Sequence, residues 1–251
     1  MEINSLQPAK RNYIPNLRIL YIAHTNKINE GGGASIALYN MIQDIKKRYN
    51  IIPFVLLPSE GEFAEKCREN GIEVFITPYI RCALIPQKKS CLYIIKETLK
   101  YFPRKIWNYF RLKKALQLLR NKHFDIIHTN TSVIDIGAKL AQVLSIPHVW
   151  QLHEYGYDFI EKDSYIRQQF NKTKAVIAIS SAVYEYYSIV KKLCPPDNVK
   201  IIYGGVKISE KYNKIYKHTE RVNFCMVGNI DENKNQLMAI NACLKLKNFI
   251  K

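Results

Sequence analysis

Acidic side chains are scarce in this chain: 21 Asp and Glu stand against 38 Lys and Arg over 251 residues, a formal charge of +17. A surplus of that size attracts anions, whether nucleotides, phosphorylated substrates, nucleic acid or an acidic membrane surface. Paired cysteine motifs are also missing. Cys67, Cys82, Cys91, Cys194, Cys225 and Cys243 are scattered, with no C-x-x-C and no His/Cys cluster. That excludes a disulfide scaffold or a zinc ribbon and suits reduced thiols in a cytoplasmic protein. No hydrophobic run approaches the roughly 20 residues of a membrane-spanning helix; the longest, residues 51–57, already contains Pro53. The polar stretch 1–16 lacks the apolar segment of a secretory leader and is expected to be an N-terminal extension. Internal repeats and low-complexity tracts are absent. What is present is an ordinary globular balance, 47% hydrophobic and 24% charged, enough to build a core.

Short apolar runs alternate with helical patterns from residue 17 onward. Residues 17–23 (LRILYIA), 51–57, 74–76, 125–129 (DIIHT), 148–152, 175–179 (AVIAI) and 200–202 read as strands. Helical spacing fills 34–49, 62–70, 134–145 and 181–193. Strands apolar on both faces and separated by helices form a parallel sheet covered on both sides, which predicts a doubly wound α/β domain over 17–206. In such sheets ligands bind outside the carboxyl ends of the strands. Residues 207–221 are polar, with four lysines, and are expected to link to a further unit at 222–251. There Phe224–Val227 reads as a strand and about 233–249 as a helix, the start of an incomplete second domain.

Three features point to a site. The segment Asn29-Glu30-Gly31-Gly32-Gly33-Ala34-Ser35 lies between the first strand and the first helix. It is either a cradle for phosphate or sugar at a helix N-terminus or a tight strand-to-helix turn. It matches neither G-x-G-x-x-G nor a Walker loop, which disfavours a dehydrogenase or P-loop enzyme. Next, His128 and Asn130 end one strand, and His153 and Glu154 end the following one. Ionisable groups on two successive carboxyl ends face one crevice. Finally, residues 87–122 carry eleven Lys and Arg against the single Glu97, a local charge of +10. A helix over 104–122 puts Tyr109, Leu112, Leu116 and Leu119 on one stripe, expected to pack on the domain. Trp107, Phe110 and Leu118 then lie beside Arg111 and Lys114 on the other side, the pattern of a face for an anionic leaflet. With no helix-turn-helix, zinc finger or RNA-recognition motif, nucleic acid is not expected as a partner.

The ordered set GGGAS, FDIIHTNTS, IPHVWQLHE, AVIAISSAV, IIYGGV and CMVGNIDENKNQ resembles the amino-terminal half of glycosyltransferase family 4, over roughly residues 17–249. That family has two facing Rossmann-like domains, the GT-B arrangement. The resemblance implies retaining, metal-independent transfer of a sugar from a nucleotide-sugar donor to a saccharide or lipid-linked acceptor, with no cofactor beyond the donor itself. No D-x-D metal triplet occurs, in keeping with this. Position by position, Gly32 and Gly33 match the family's Gly-rich loop near the donor phosphates. His153 matches the histidine facing the transferred sugar, and His128, Asn130 and Glu154 become acceptor-side candidates. Gly228 and Lys234 match the G-R…K-G segment that neutralises the diphosphate, although Asn229 and Asn235 stand where Arg and Gly are usual. The resemblance places the family's E-x7-E pair deeper in the second domain, past Lys251; the same spacing at Glu65 and Glu73 lies in the first domain. The chain is therefore expected to be an acceptor-side domain with a partial donor side. The alternative is a non-catalytic, acceptor- or membrane-binding half, with a second chain supplying the donor domain.

Overall fold

A computed structural model describes residues 16–28, 32–80, 91–155, 164–205, 224–228, 230 and 234–246. The N-terminal stretch 1–15, the linker 207–221 and Asn29–Gly31 of the Gly-rich loop lie outside the described residues. The chain divides into two units, Met1–Gly205 and Val206–Lys251.

In the first unit the strands are β1 (Leu17–Ile22), β2 (Ile51–Leu57), β3 (Glu73–Ile76), β4 (Ile126–Asn130), β5 (His148–Leu152), β6 (Ala175–Ala178) and β7 (Val199–Ile201). They form one parallel sheet in the order β3-β2-β1-β4-β5-β6-β7. The order reverses between β1 and β4, where Tyr21 registers with His128 and Ile22 with Thr129. This is the switch point at which the two halves of a doubly wound sheet part and leave a crevice at their carboxyl ends. The doubly wound parallel sheet expected from the sequence is what the structure shows.

Alternation along the strands divides the core between the two faces. Leu20, Ile22, Phe54 and Leu56 pack with Leu112, Ala115 and Leu119 of α3 (Cys91–Leu119) and Leu140 of α4 (Ile136–Leu144). Tyr21, Val55 and Leu57 point the other way, onto Leu38 and Ile42 of α1 (Gly33–Arg48) and Phe63 and Cys67 of α2 (Glu62–Glu69). A third cluster, around Trp150 and Phe170, joins β5 to α5 (Ser164–Lys172). Pro53 sits inside β2 without breaking the sheet, because β3 pairs only from Phe54 onward and no neighbour on that side needs its missing N–H.

Helix α4 comes so close to β4 that a Cβ on Gly137 would overlap the Thr129 hydroxyl. That approach fixes the height of the β4 carboxyl end. After β6, α6 (Ser181–Tyr184) starts on a Ser180 Oγ cap and continues as a π-helical turn over Glu185–Val190. The wide turn lets the consecutive residues Tyr186 and Tyr187 both be buried.

Two expectations are corrected here. Helix α3 is longer than expected and its inward stripe is Asn108, Leu112, Ala115 and Leu119, while Tyr109 is 53% exposed. Asn108 can face inward because its amide is satisfied. Its Oδ1 accepts from the Ile80 N–H at 3.1 Å and its Nδ2 donates to the Ile80 carbonyl at 2.9 Å. In the second unit, Phe224–Val227 is not a strand and is exposed. Among the described residues no strand pairs with it, and an unpaired extended segment has no ladder to hold it. Helix α7 (Gln236–Leu246) follows, with Leu237, Met238, Ile240 and Leu244 exposed.

Candidate functional site

The carboxyl ends of β4 and β5 and the first turn of α1 meet through one buried amide. Asn130, the last residue of β4, donates from Nδ2 to the Ala34 carbonyl at 3.0 Å. Its Oδ1 lies 2.8 Å from Nε2 of His153, which directly follows β5. The backbone then turns sharply: Thr131 has φ +85°, a strained value for a non-glycine residue. Two bonds hold it there. The Thr131 N–H donates to the Gln151 carbonyl at 2.8 Å, and the Trp150 indole N–H donates to the Thr131 carbonyl at 2.7 Å.

Glu154 closes the same corner. Its Oε2 accepts from the Ser132 N–H and hydroxyl, each at 3.0 Å, and from the His153 N–H at 3.2 Å. The Tyr187 hydroxyl donates to Ser132 Oγ at 3.2 Å from behind. Burial pushes the Glu154 carboxyl up, and the donors from Ser132 and His153 pull against that shift. Burial lowers the His153 imidazole to about 4, so it is neutral at physiological pH. Ser132 and Tyr187 were not expected as members of this corner. The only sequence signal was the polar string His128–Ser132 closing a strand.

His128 sits in a different environment. It is 6% exposed, with Nε2 3.0 Å from Gln151 Oε1 and its ring 5.3 Å from that of Tyr21. Burial brings it down to about 4. It packs within the sheet, and Asn130, His153 and Glu154 form the joined group at the rim.

Helix α1 begins at Gly33 with no side-chain cap and no acidic residue in its first turn; the Gly32 carbonyl takes the Ser35 N–H at 3.1 Å, and the positive end of the helix favours an anion ahead of it. Gly32 adopts φ +83°, and a Cβ on either Gly32 or Gly33 would meet none of the described residues within 4 Å. Glycine at 33 is therefore not required by packing against the described residues. In the second unit the Lys234 side chain lies over Gly228, whose Cβ would sit 3.5 Å from Lys234 Cγ. These two expected phosphate-side residues adjoin each other.

On α3, Phe110 is 62% exposed and Lys114 is exposed, while Arg111 stacks its guanidinium 4.5 Å over the half-buried Trp107 ring. Leu92, Ile95, Leu99 and Ile106 are exposed on the same outward side as Phe110, opposite the inward stripe.

A parallel sheet whose strand order reverses over a polar rim, next to a Gly-rich helix start, is a Rossmann-like domain of the kind that GT-B glycosyltransferases contain. The family model described as Glycosyltransferase Family 4 matches residues 31–210. The chain belongs to that family. No curated protein matches the sequence significantly. Among solved structures it is similar to Anabaena Alr3699/HepE in complex with UDP and glucose, at 19% identity and TM-score 0.53, over 76% of this chain and 45% of that one. It is also similar to Arabidopsis thaliana UGT89C1 complexed with UDP, at 11% identity and TM-score 0.50, over 77% of this chain and 50% of that one. The chain thus spans about half the length of these structures, and the likeness is one of fold.

Proposed function

We propose that this chain forms the acceptor-side half of a retaining, metal-independent glycosyltransferase that moves a sugar from a nucleotide-sugar to a saccharide or lipid-linked acceptor in polysaccharide or glycolipid assembly. The observation that carries the reading is the joined rim: His153, Asn130 and the uncapped first turn of α1 on the carboxyl edge of one sheet. Glycosyl transfer passes through an oxocarbenium-like state, while negative charge gathers on the departing diphosphate. The α1 N–H groups supply positive potential for that charge, the task a metal performs elsewhere. His153 is offered as the residue that touches the transferred sugar. Glu154 holds the strand ends in place, and no cofactor beyond the donor is called for. Titrating the protein with UDP-, GDP- and ADP-sugars tests the reading: saturable binding of one class is expected, and no binding of any class refutes it.

A second reading is favoured by the exposed apolar side of α7. Helices with such a side pack against a partner, so a donor-side half, in cis or on a second chain, would cover Leu237, Ile240 and Leu244. Without it the present half binds acceptor or membrane only. Nucleotide-sugar binding that appears only after a donor-side half is added would favour this reading.

The outward side of α3 is assigned to an anionic membrane surface on the cytoplasmic face. Among the described residues no helix is long and apolar enough to cross a bilayer. Leu92, Ile95, Leu99, Ile106 and Phe110 instead form a stripe that can lie in the interface. The local +10 opposes pairing with a second copy and favours acidic lipid, at about 1 kcal/mol per basic residue near the surface. Co-sedimentation with vesicles containing acidic lipid should be strong at low salt and weak in Phe110→Ser or at high salt. Equal binding to neutral vesicles would overturn the assignment.

A further inference from the structure

The proton on His153 can be placed from the bonds around Asn130. The Ala34 carbonyl can only accept, so the Asn130 atom 3.0 Å from it is the NH2 group. The Asn130 oxygen is then the atom 2.8 Å from His153 Nε2, and it too can only accept. Nε2 therefore carries the hydrogen. Asn130 is fully buried and cannot exchange these partners for water. Nδ1 of His153 meets no hydrogen-bond partner among the described residues, and its ring is only partly buried.

We infer that Asn130 is a positioning residue that fixes His153 as the Nε2–H tautomer, so that Nδ1 faces the ligand crevice as a hydrogen-bond acceptor for an uncharged hydroxyl. The ligand half of this statement rests on the glycosyl-transfer reading; the tautomer half does not. A bare Nδ1 suits a sugar hydroxyl and opposes a carboxylate or phosphate oxygen, which also offers only lone pairs. Among the described residues, the titratable groups that interact with His153 are Glu154, bonded to its backbone N–H, and His128 on β4. Burial keeps the ring neutral, in agreement with this role. His153 then orients a hydroxyl and does not serve as a general acid near neutrality. The same amide ties the first turn of α1 to the end of β4, so the Gly-rich turn and His153 keep one relative position.

Long-range 1H–15N correlation on the chain labelled with 15N-histidine reads the tautomer directly, with His153→Gln identifying the signal. The wild type is expected to show a protonated Nε2 and a lone pair on Nδ1. Asn130→Leu should release the ring into a mixture of tautomers. Asn130→Asp should keep Nε2–H and raise the imidazole pKa, because a carboxylate then faces it. An Nδ1–H tautomer in the wild type overturns the inference without any variant, and so does a signal unchanged in Asn130→Leu. Adding UDP-glucose should move the Nδ1 resonance as it accepts a hydrogen bond while the ring stays neutral. Binding that leaves Nδ1 unmoved overturns the acceptor half. No binding of any nucleotide-sugar, with the tautomer as expected, is a failure of the transfer reading, and the acceptor half falls with it.

Discussion

Acidification should unfold this protein through the histidines inside its sheet. His128 and His148 are 6% and 5% exposed. Burial lowers them from an ordinary 6.5 to about 4 and about 3. His148 has a specific reason to resist a second proton. The Thr173 hydroxyl donates to the Gln169 carbonyl at 2.8 Å, so it accepts from His148 Nδ1 at 3.1 Å. Nε2 must then accept from the Thr129 hydroxyl 2.7 Å away, and protonating it forces that buried hydroxyl to turn its hydrogen away and accept instead. The folded state binds protons less readily than the unfolded one. This stabilisation is thus complete above pH 6.5 and is lost as pH falls toward the folded values. Between about pH 7.5 and pH 5, each group gives up about 2 kcal/mol, so the pair loses roughly 4 of the 5–15 kcal/mol that a domain has. Urea unfolding at the two pH values reads this loss. The general rise in positive charge also destabilises in acid, so the decisive comparison is with His148→Gln. It should be weaker at neutral pH but lose about 2 kcal/mol less on acidification. Equal losses in the variant and the wild type would refute the reasoning.

Two further outcomes follow from the glycines. Gly137→Ala forces a methyl against Thr129 and should cost about 1–3 kcal/mol by overpacking, seen as a lower thermal midpoint. Gly33→Ala meets none of the described residues and needs no positive φ, so stability should hold or rise by up to about 1 kcal/mol through a less flexible unfolded chain. The same variant should weaken nucleotide-sugar binding if a phosphate sits on that turn, and unchanged affinity in calorimetry would remove the turn from the site.

The sheet was readable because its strands are short apolar runs buried on both sides, and nothing but strand fits residues 51–57 between two helices. Helix α5 was missed because Gln169 and Phe170 are buried within an otherwise polar segment that shows no stripe. The inward side of α3 was misplaced by one residue. Patterning puts Asn108 in solvent, yet the Ile80 backbone satisfies both ends of its amide. That partner comes from far along the chain and leaves no local signal. The π-helical turn escaped for a related reason, since helical spacing does not bury Tyr186 and Tyr187 together. At the site, His153 and Asn130 were legible as polar strand ends. Their bond to each other and to Ala34 depends on the height at which β1, β4 and β5 stop, and the sheet register sets that.

Acceptor-dependent release of nucleoside diphosphate is the most direct measure of the transfer reading. With a family donor-side half present, the chain should turn over one nucleotide-sugar, and His153→Ala should abolish that turnover while folding normally. Release that continues unchanged in His153→Ala would contradict the account.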